Sequence, residues 1–556
     1  MKILLTSVFG PYAADDEYGE KSNKMELFHN QVTREQGIFS YRFNHGSQGL
    51  YFLAENIDMP ATVLDFPTLK RFKKELENGY DYIGISFIIP NFKKAKEMAR
   101  LIRELSPESK IILGGHGTNI PGIETMIDQD YICKGEGVYF LRKLFKENID
   151  RPIRHPLGYS SFNRQVMGVP WSPDSGILIT GVGCANKCRF CATSHFFGEY
   201  TPYLKTGKEI FDLCCRYEDE KKITDFGILD ENFLKMKDRA LELLELMEKN
   251  KRYFTFAIFS SAETLKEIGD LDILVRLGVT FIWIGVESKK EIYLKNKGAD
   301  FPDLISEIRK RGITVLASSI LFLEEHDKNT IWEDIDFVTS LKPDYLQFAE
   351  LGPIPGTKLY SDYEQQGKLL KDVPYSAQHG QGKIWFKHEH FTRDESEDFL
   401  RLAFEIDYSR NGASMLRAIK TTLMGYQYCL NNPDELVRAR LKTYKNNLKM
   451  MRYFLISSTI FVQNRQSEIL LKEIKGMFRQ HFGRMNISIF AASMLVVLFG
   501  IKEYMRCKLF GDVRTPKTSY RLFNKVNKYD ERLAMLSEAA GAKSSIVYSM
   551  SDQTER

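Results

Sequence analysis

From the N-terminus to about residue 150, short apolar runs alternate with amphipathic stretches of helical period. The runs Lys2–Ser7, Ala61–Asp65, Tyr82–Phe87, Lys110–Leu113 and Tyr131–Cys133 read as strands. Phe92–Leu105, closed by Ser106-Pro107, reads as a helix between two of them. Strand, helix, strand at this spacing predicts a doubly wound, Rossmann-like parallel sheet over residues 1–150. Ligands of such sheets bind beyond the carboxyl ends of the strands. Ser86 in Gly84–Phe87, Gly114 and Gly115 in Gly114–Gly117, and Gly135 in Gly135–Gly137 all fall at that edge. Glycines there let a backbone approach a large ligand, though each taken singly is also an ordinary turn.

Residues 151–175, rich in Pro, Gly and Ser, read as a linker, and the alternation then restarts. Strands are predicted at Gly176–Thr180, Ile223–Leu229, Tyr253–Ser260, Thr280–Gly285, Thr314–Leu321 and Tyr345–Glu350. Helical patterns separate them at Lys208–Tyr217, Met236–Lys249, Leu271–Leu277, Phe301–Lys310 and Lys328–Leu341. Six such units predict a partial (β/α)6 barrel over 176–391, its active site at the carboxyl ends of the strands. After Thr392 the strands stop. Thr392 with Glu395 forms a capping box, and 392–556 reads as a mostly helical domain. No internal repeat is present.

Composition adds little until it is localised. The 556 residues are 43% hydrophobic and 27% charged, which excludes wholesale disorder, collagen and coiled coil. The first apolar run is too short for a signal peptide, and eight cysteines, three of them crowded into eight positions, are too sparse for a disulfide framework, so a reducing cytoplasm is expected. The charge is uneven. Residues 410–530 carry 22 Lys and Arg against 7 Asp and Glu, while the rest of the chain sums to −10. Inside that block, residues 485–501 hold no charge, with Lys472, Lys475, Arg479 and Arg484 before them and Lys502, Arg506 and Lys508 after. A buried core helix is the expectation favoured by length; peripheral contact with an anionic membrane at its inner face is the alternative favoured by the flanks. Nucleic acid is not expected, since no recognition motif accompanies the charge.

The chemistry concentrates after the first barrel strand, in Gly183-Cys184-Ala-Asn-Lys-Cys188-Arg-Phe190-Cys191. Three thiolates within eight residues can hold three irons of a [4Fe–4S] cluster and leave the fourth open to a chelating substrate. Zinc is the other reading, but it takes four ligands, and only His195 is near enough to complete a set.

This segment is similar to the CxxxCxΦC signature of the radical S-adenosylmethionine (SAM) superfamily, with Phe190 as the aromatic. Further stretches follow in the family's order: Asp230–Phe233, Ser260–Glu263, Gly285–Ser288, Asn296–Gly298 and Pro353–Thr357. Residues 1–150 resemble the cobalamin-binding domain fused to many of these enzymes, through Gly49–Ala54, Gly79–Ser86, Leu113–Gly115 and Lys134–Gly137. The Asp-x-His-x-x-Gly motif that gives other corrinoid proteins a cobalt ligand is absent, as it commonly is in this subclass. A domain that binds no corrinoid is the alternative. His116 and His45 lie near the relevant edge, where a loop histidine ordinarily faces solvent.

The resemblance implies that Cys184, Cys188 and Cys191 hold the cluster and that SAM chelates its open iron. One electron, from a donor such as flavodoxin or ferredoxin, would cleave SAM to methionine and a 5′-deoxyadenosyl radical that abstracts hydrogen from an unactivated carbon. Cobalamin would then supply a methyl group. Phe190 would pack on adenine or, equally, on the barrel. Glu287 and Ser288 would meet the ribose or the methionyl amine, with Asp230 and Glu263 as weaker candidates that also suit helix caps. Cys133, Cys214, Cys215, Cys429 and Cys507 read as small buried apolar residues. Trp385–His390 reads as an aromatic-anchored turn beside the barrel mouth, and Tyr408 and Tyr426 as helix core or late hydrogen donors.

The reading is a cobalamin-dependent radical SAM C-methyltransferase acting on a small molecule or a hydrophobic substrate such as an isoprenoid or other lipid. Two alternatives stand beside it: radical SAM cyclisation, rearrangement or dehydrogenation without methyl transfer, and a non-catalytic corrinoid or iron–sulfur sensor.

Overall fold

The structure is a computed structural model that describes residues 1–10, 18, 31–43, 46–160, 164–171, 174–290, 293–511 and 516–523. His45 lies outside the described residues.

The first sheet holds β1 (Ile3–Ser7), β2 (Ala61–Asp65), β3 (Tyr82–Ser86), β4 (Lys110–Gly114) and β5 (Tyr131–Ile132), all parallel, in the order β2-β1-β3-β4-β5. β1 and β2 are buried along their whole length, as strands covered by helices on both faces must be. The polar side chains this buries are satisfied within the sheet: Thr6 Oγ1 donates to the Leu64 carbonyl at 2.9 Å, and Ser7 Oγ to Asp65 at 2.7 Å.

The stretch expected as a linker is packed structure. It contributes β6 (Tyr159–Ser160) and a hairpin of β7 (Gln165–Val166) and β8 (Val169–Pro170), and buries His155 and Trp171. His155 Nε2 accepts from the Ile179 amide at 2.8 Å while the ring meets Phe52 edge-on, so this segment joins the two sheets.

The second sheet contains β6, then β9 (Ser175–Leu178), then, after a small hairpin of β10 (Gly181–Val182) and β11 (Thr201–Pro202), β12 (Asp225–Ile228), β13 (Thr255–Ser260), β14 (Val279–Glu287), β15 (Thr314–Leu321) and β16 (Tyr345–Glu350). From β9 to β16 its strands are parallel and neighbours in chain order, with β6 antiparallel on the β9 edge. This is the open, partial barrel that the repeated βα pattern predicts. Helices on its outer face bury Leu213, Leu243, Ile305 and Val338 against Phe226, Ile282 and Ile284. Every predicted strand in both sheets lies within two residues of its observed ends.

After Thr392, whose capping box with Glu395 is formed, come the helices Arg393–Asn411, Ser414–Asn431, Leu441–Met451, Arg465–Phe482 and Ile487–Phe510. Arg417 and Asp407 tie the first two together through a buried, two-pronged ion pair (2.6 and 2.9 Å). Two expectations for this region fail. The strands do not stop at Thr392: β17 (Ser519–Phe523) returns to the first sheet and pairs antiparallel with β2, Phe523 opposite Ala61. Nor is the apolar helix a core helix. Ile487–Phe510 is, among the described residues, the helix long and apolar enough to cross a membrane, yet most of its circumference is exposed.

Candidate active site

The loop from Gly183 to Cys191 leaves the sheet at the carboxyl end of β9, where parallel α/β folds place their chemistry. Its shape is imposed locally. Gly183 (φ +86°) lies so close to the Glu199 carbonyl that a Cβ would approach it to 2.3 Å. The Cys191 amide donates to the Cys188 carbonyl at 3.0 Å, closing the turn that brings these two cysteines round. The loop is then clamped from outside: Arg189 pairs with Glu324 (2.7 Å) and Asp362 (3.3 Å), and its carbonyl accepts from the Leu359 amide at 2.9 Å.

All three thiols are free and partly open to solvent. They sense one another electrostatically, and burial pushes Cys184 up and Cys188 up to about 11. Lys295 opposes the shift at both. Among the described residues no three His, Cys, Asp or Glu side chains close round a single point as a mononuclear ion would require. Three neighbouring thiols with an open flank and a cation beside them fit an iron–sulfur cluster, whose thiolates sit at separate corners and whose negative charge needs compensation.

Lys295 is the residue the sequence reading passed over. It lies in a single turn, Leu294–Asn296, and donates to Glu287 at the end of β14. Burial alone would lower its ammonium, but Glu287 and the thiols of Cys188 and Cys191 hold it raised. Glu287 itself is buried and sits at φ +64°, beside a break in the β14–β15 register. Backbone strain of this kind costs about 1–3 kcal/mol and gathers at functional sites. Ser288 is buried next to it; its hydroxyl accepts from the Lys290 amide and donates to Asp334, which also binds His326 at 3.0 Å.

The other candidates separate. Phe190 packs against the barrel core with its ring edge-on to Tyr293 at 5.1 Å. Asp230 is buried, its Oδ2 accepting from Thr180 (2.8 Å), Tyr200 (2.6 Å) and Arg239 (2.8 Å) and its Oδ1 from the Asn232 amide (3.2 Å). Glu263 pairs with Lys235 at the surface, while Ser261 caps the helix there. Beside Asp230, Glu231 keeps one open flank but is crowded on the others. Desolvation pushes its carboxyl up to about 7, the Asp230 charge adding to this and a hydrogen bond with Thr193 opposing it.

The edge of the first sheet faces this loop. Gly115 (φ +83°) tucks under the Phe87 carbonyl, leaving no room for a Cβ, with Ser86 Oγ alongside. Gly114 has open space in front of it, and Gly135 (φ +94°) comes against the Phe196 carbonyl, just past Cys191. His116 departs from the expectation of a solvent-facing loop residue. Its Nδ1 is buried without a partner among the described residues, its ring lies tilted by 40° against Phe196 with centroids 4.5 Å apart, and burial lowers its pKa to about 4. Glu136 ties this edge to the neighbouring segment: it caps helix Gly137–Leu144 and accepts a hydrogen bond from Tyr203, just past β11.

Residues expected to be structural mostly are. Cys133, Cys214 and Cys429 are buried, but Cys215 is only partly so, and Cys507 sits among Arg42, Glu503 and Arg506 rather than apolar neighbours. Trp385 and Phe386 are buried, with Trp385 Nε1 donating to the Pro353 carbonyl and His388 bound to the Leu323 carbonyl. Tyr408 and Tyr426 pack in the helical domain.

Residues 178–338 match the Radical SAM superfamily. Over 395 residues the chain is 24% identical to an uncharacterized methyltransferase of Pyrococcus horikoshii, covering 64% of this chain and 84% of that one. Over 349 residues it is 27% identical to bacteriochlorophyllide d C-8(2)-methyltransferase of Chlorobaculum tepidum, covering 55% and 74% respectively. Its fold is similar to that of the radical S-adenosylmethionine methyltransferase TsrM of Kitasatospora setae, solved with cobalamin and a [4Fe-4S] cluster bound. The TM-score is 0.51 at 15% identity, over 81% of this chain and 99% of that one. The matched stretch, residues 178–338, is the one that carries the thiol loop and the strand ends around it, and this part of the chain is a radical SAM domain.

Proposed function

We propose that this radical SAM enzyme is a cobalamin-dependent C-methyltransferase that acts on an unactivated carbon of a hydrophobic substrate. The observation that carries the reading is the meeting of two ligand-binding edges. The glycine-lined carboxyl edge of the first sheet lies against Phe196, one helix past Cys191, so a flat group bound at that edge would sit beside the thiol loop. The methyltransferases named above support it: two by sequence, one by fold.

When bound, the cluster, SAM and cobalamin supply a carbon-centred radical and a methyl donor; the chain supplies the setting. Cys184, Cys188 and Cys191 would hold the cluster, with Lys295 compensating its charge. Glu287 and Ser288 stand at the strand end where a methionyl amine or ribose would lie. At the facing edge, Gly114, Gly115 and Gly135 admit close approach, and the orphaned Nδ1 and neutral ring of His116 leave a polar atom for a corrinoid to meet. Phe196 and Phe197 set an aromatic wall beside His116.

The test is anaerobic reconstitution with iron, sulfide and hydroxocobalamin, followed by desalting, metal analysis and an absorption spectrum. About four irons per chain with corrinoid bands retained, and both 5′-deoxyadenosine and S-adenosylhomocysteine formed from SAM under reduction, is the expected result. Iron and 5′-deoxyadenosine without retained corrinoid would reject methyl transfer and leave radical chemistry of another kind.

A further inference from the structure

Helix Ile487–Phe510 touches the rest of the chain along one stripe. Ser493, Val496, Val497, Gly500 and Glu503 are buried, a three-to-four-residue recurrence that marks a single face. Contact along it is close: a Cβ at Gly500 would come 2.8 Å from the Phe461 ring, and Glu503 forms a buried ion pair with Arg42. The remaining circumference is apolar and open. Phe490, Leu495, Leu498, Phe499, Leu509 and Phe510 are between 49 and 78% exposed. Contiguous apolar surface of this kind is rare on soluble monomers and marks a contact site.

Charge identifies what it contacts. Lys472, Lys475, Arg479 and Arg484 precede the helix and Lys502 and Lys508 lie on it, all exposed and none in an ion pair among the described residues. We propose that this face embeds in the headgroup–acyl boundary of an anionic bilayer, the helix lying in the plane of the membrane with basic side chains at the phosphates. Crossing the bilayer would strip the helix from Phe461 and expose the Arg42–Glu503 pair to hydrocarbon. A two-fold contact with a second copy would bring the same basic residues together across the interface. Nucleic acid would leave the apolar side chains in water. The proposal stands on this helix alone and does not depend on methyl transfer.

The experiment is co-sedimentation of the full-length protein with vesicles of equal parts phosphatidylglycerol and phosphatidylcholine, and with phosphatidylcholine alone. Binding to the anionic vesicles at low salt is expected to be at least about tenfold tighter, and to weaken at physiological ionic strength. Leu498→Glu with Phe510→Glu should lower that binding by at least about tenfold, while circular dichroism and monomer elution stay unchanged. Lys502→Gln with Lys508→Gln should reduce only the salt-sensitive part. Equal binding to both vesicles, or none, would overturn the proposal. A concentration-dependent dimer that Leu498→Glu abolishes, without vesicle binding, would assign the face to a second copy.

Discussion

Lys295 donates to Glu287 at the end of β14, and the pair fits only because residue 285 has no side chain. A Cβ on Gly285 would lie 2.3 Å from Glu287 Oε1 and 2.7 Å from Lys295 Nζ. Removing one partner of a buried pair leaves an uncompensated charge, whereas removing both leaves none. Glu287→Gln should therefore destabilise the protein by about 3 kcal/mol, and Glu287→Gln with Lys295→Met should recover most of it in denaturant titration. SAM cleavage should not recover with it. If the double variant regains both stability and 5′-deoxyadenosine formation, the pair is scaffolding and Glu287 has no part in holding SAM.

The cysteines divide into two groups that iron analysis can tell apart. Cys184→Ser, Cys188→Ser or Cys191→Ser should each reduce reconstituted iron from about four per chain to less than one. Cys133→Ala, Cys214→Ala and Cys429→Ala should leave it unchanged, because those thiols are buried and lie outside the Gly183–Cys191 loop. Iron lost equally from both groups would mean that the loop does not hold the cluster.

Asp230 is the candidate whose role the structure changes most. Its Oδ2 accepts from Thr180, Tyr200 and Arg239, its Oδ1 from the Asn232 amide, and it and Arg239 are almost wholly buried. Asp230→Ala should cost about 3–5 kcal/mol through the stranded guanidinium. At a temperature where the variant stays folded, the SAM concentration giving half-maximal cleavage should be close to that of the parent. A large rise in that concentration would restore Asp230 as a SAM contact.

What could be read from the sequence was whatever local periodicity and spacing determine. The parallel strands of both sheets, the Thr392–Glu395 capping box and the three-cysteine loop are each complete within a few residues of chain. What escaped depends on distant partners. β17 is a strand because β2, more than 450 residues earlier, offers an open edge. Lys295 reads as one loop lysine among many until Glu287 is folded back towards it at positive φ. His116 differs from an exposed loop histidine through Phe196 and Phe197, which belong to the helix that follows the thiol loop. An apolar helix reads alike whether a core or a membrane covers it, and only the packing of Ile487–Phe510 shows that no core does.

Glu350, at the end of β16, gives a stability prediction with a definite sign. Neither of its buried oxygens makes a well-formed hydrogen bond. Desolvation pushes the carboxyl from 4.5 up to about 8, with Glu397 adding and Ser396, Arg34 and the Gly382 amide opposing. The folded protein therefore keeps a proton that the unfolded chain has released. The contribution is intact below about pH 4.5 and is lost progressively as pH rises towards 8. Glu350→Gln removes this dependence while keeping the shape. Relative to the variant, the parent should lose roughly 2 kcal/mol between pH 5 and pH 7, read as diverging denaturant midpoints. Parallel stability curves for the two proteins across that range would show that Glu350 is ionised in the fold, its charge held by Arg34.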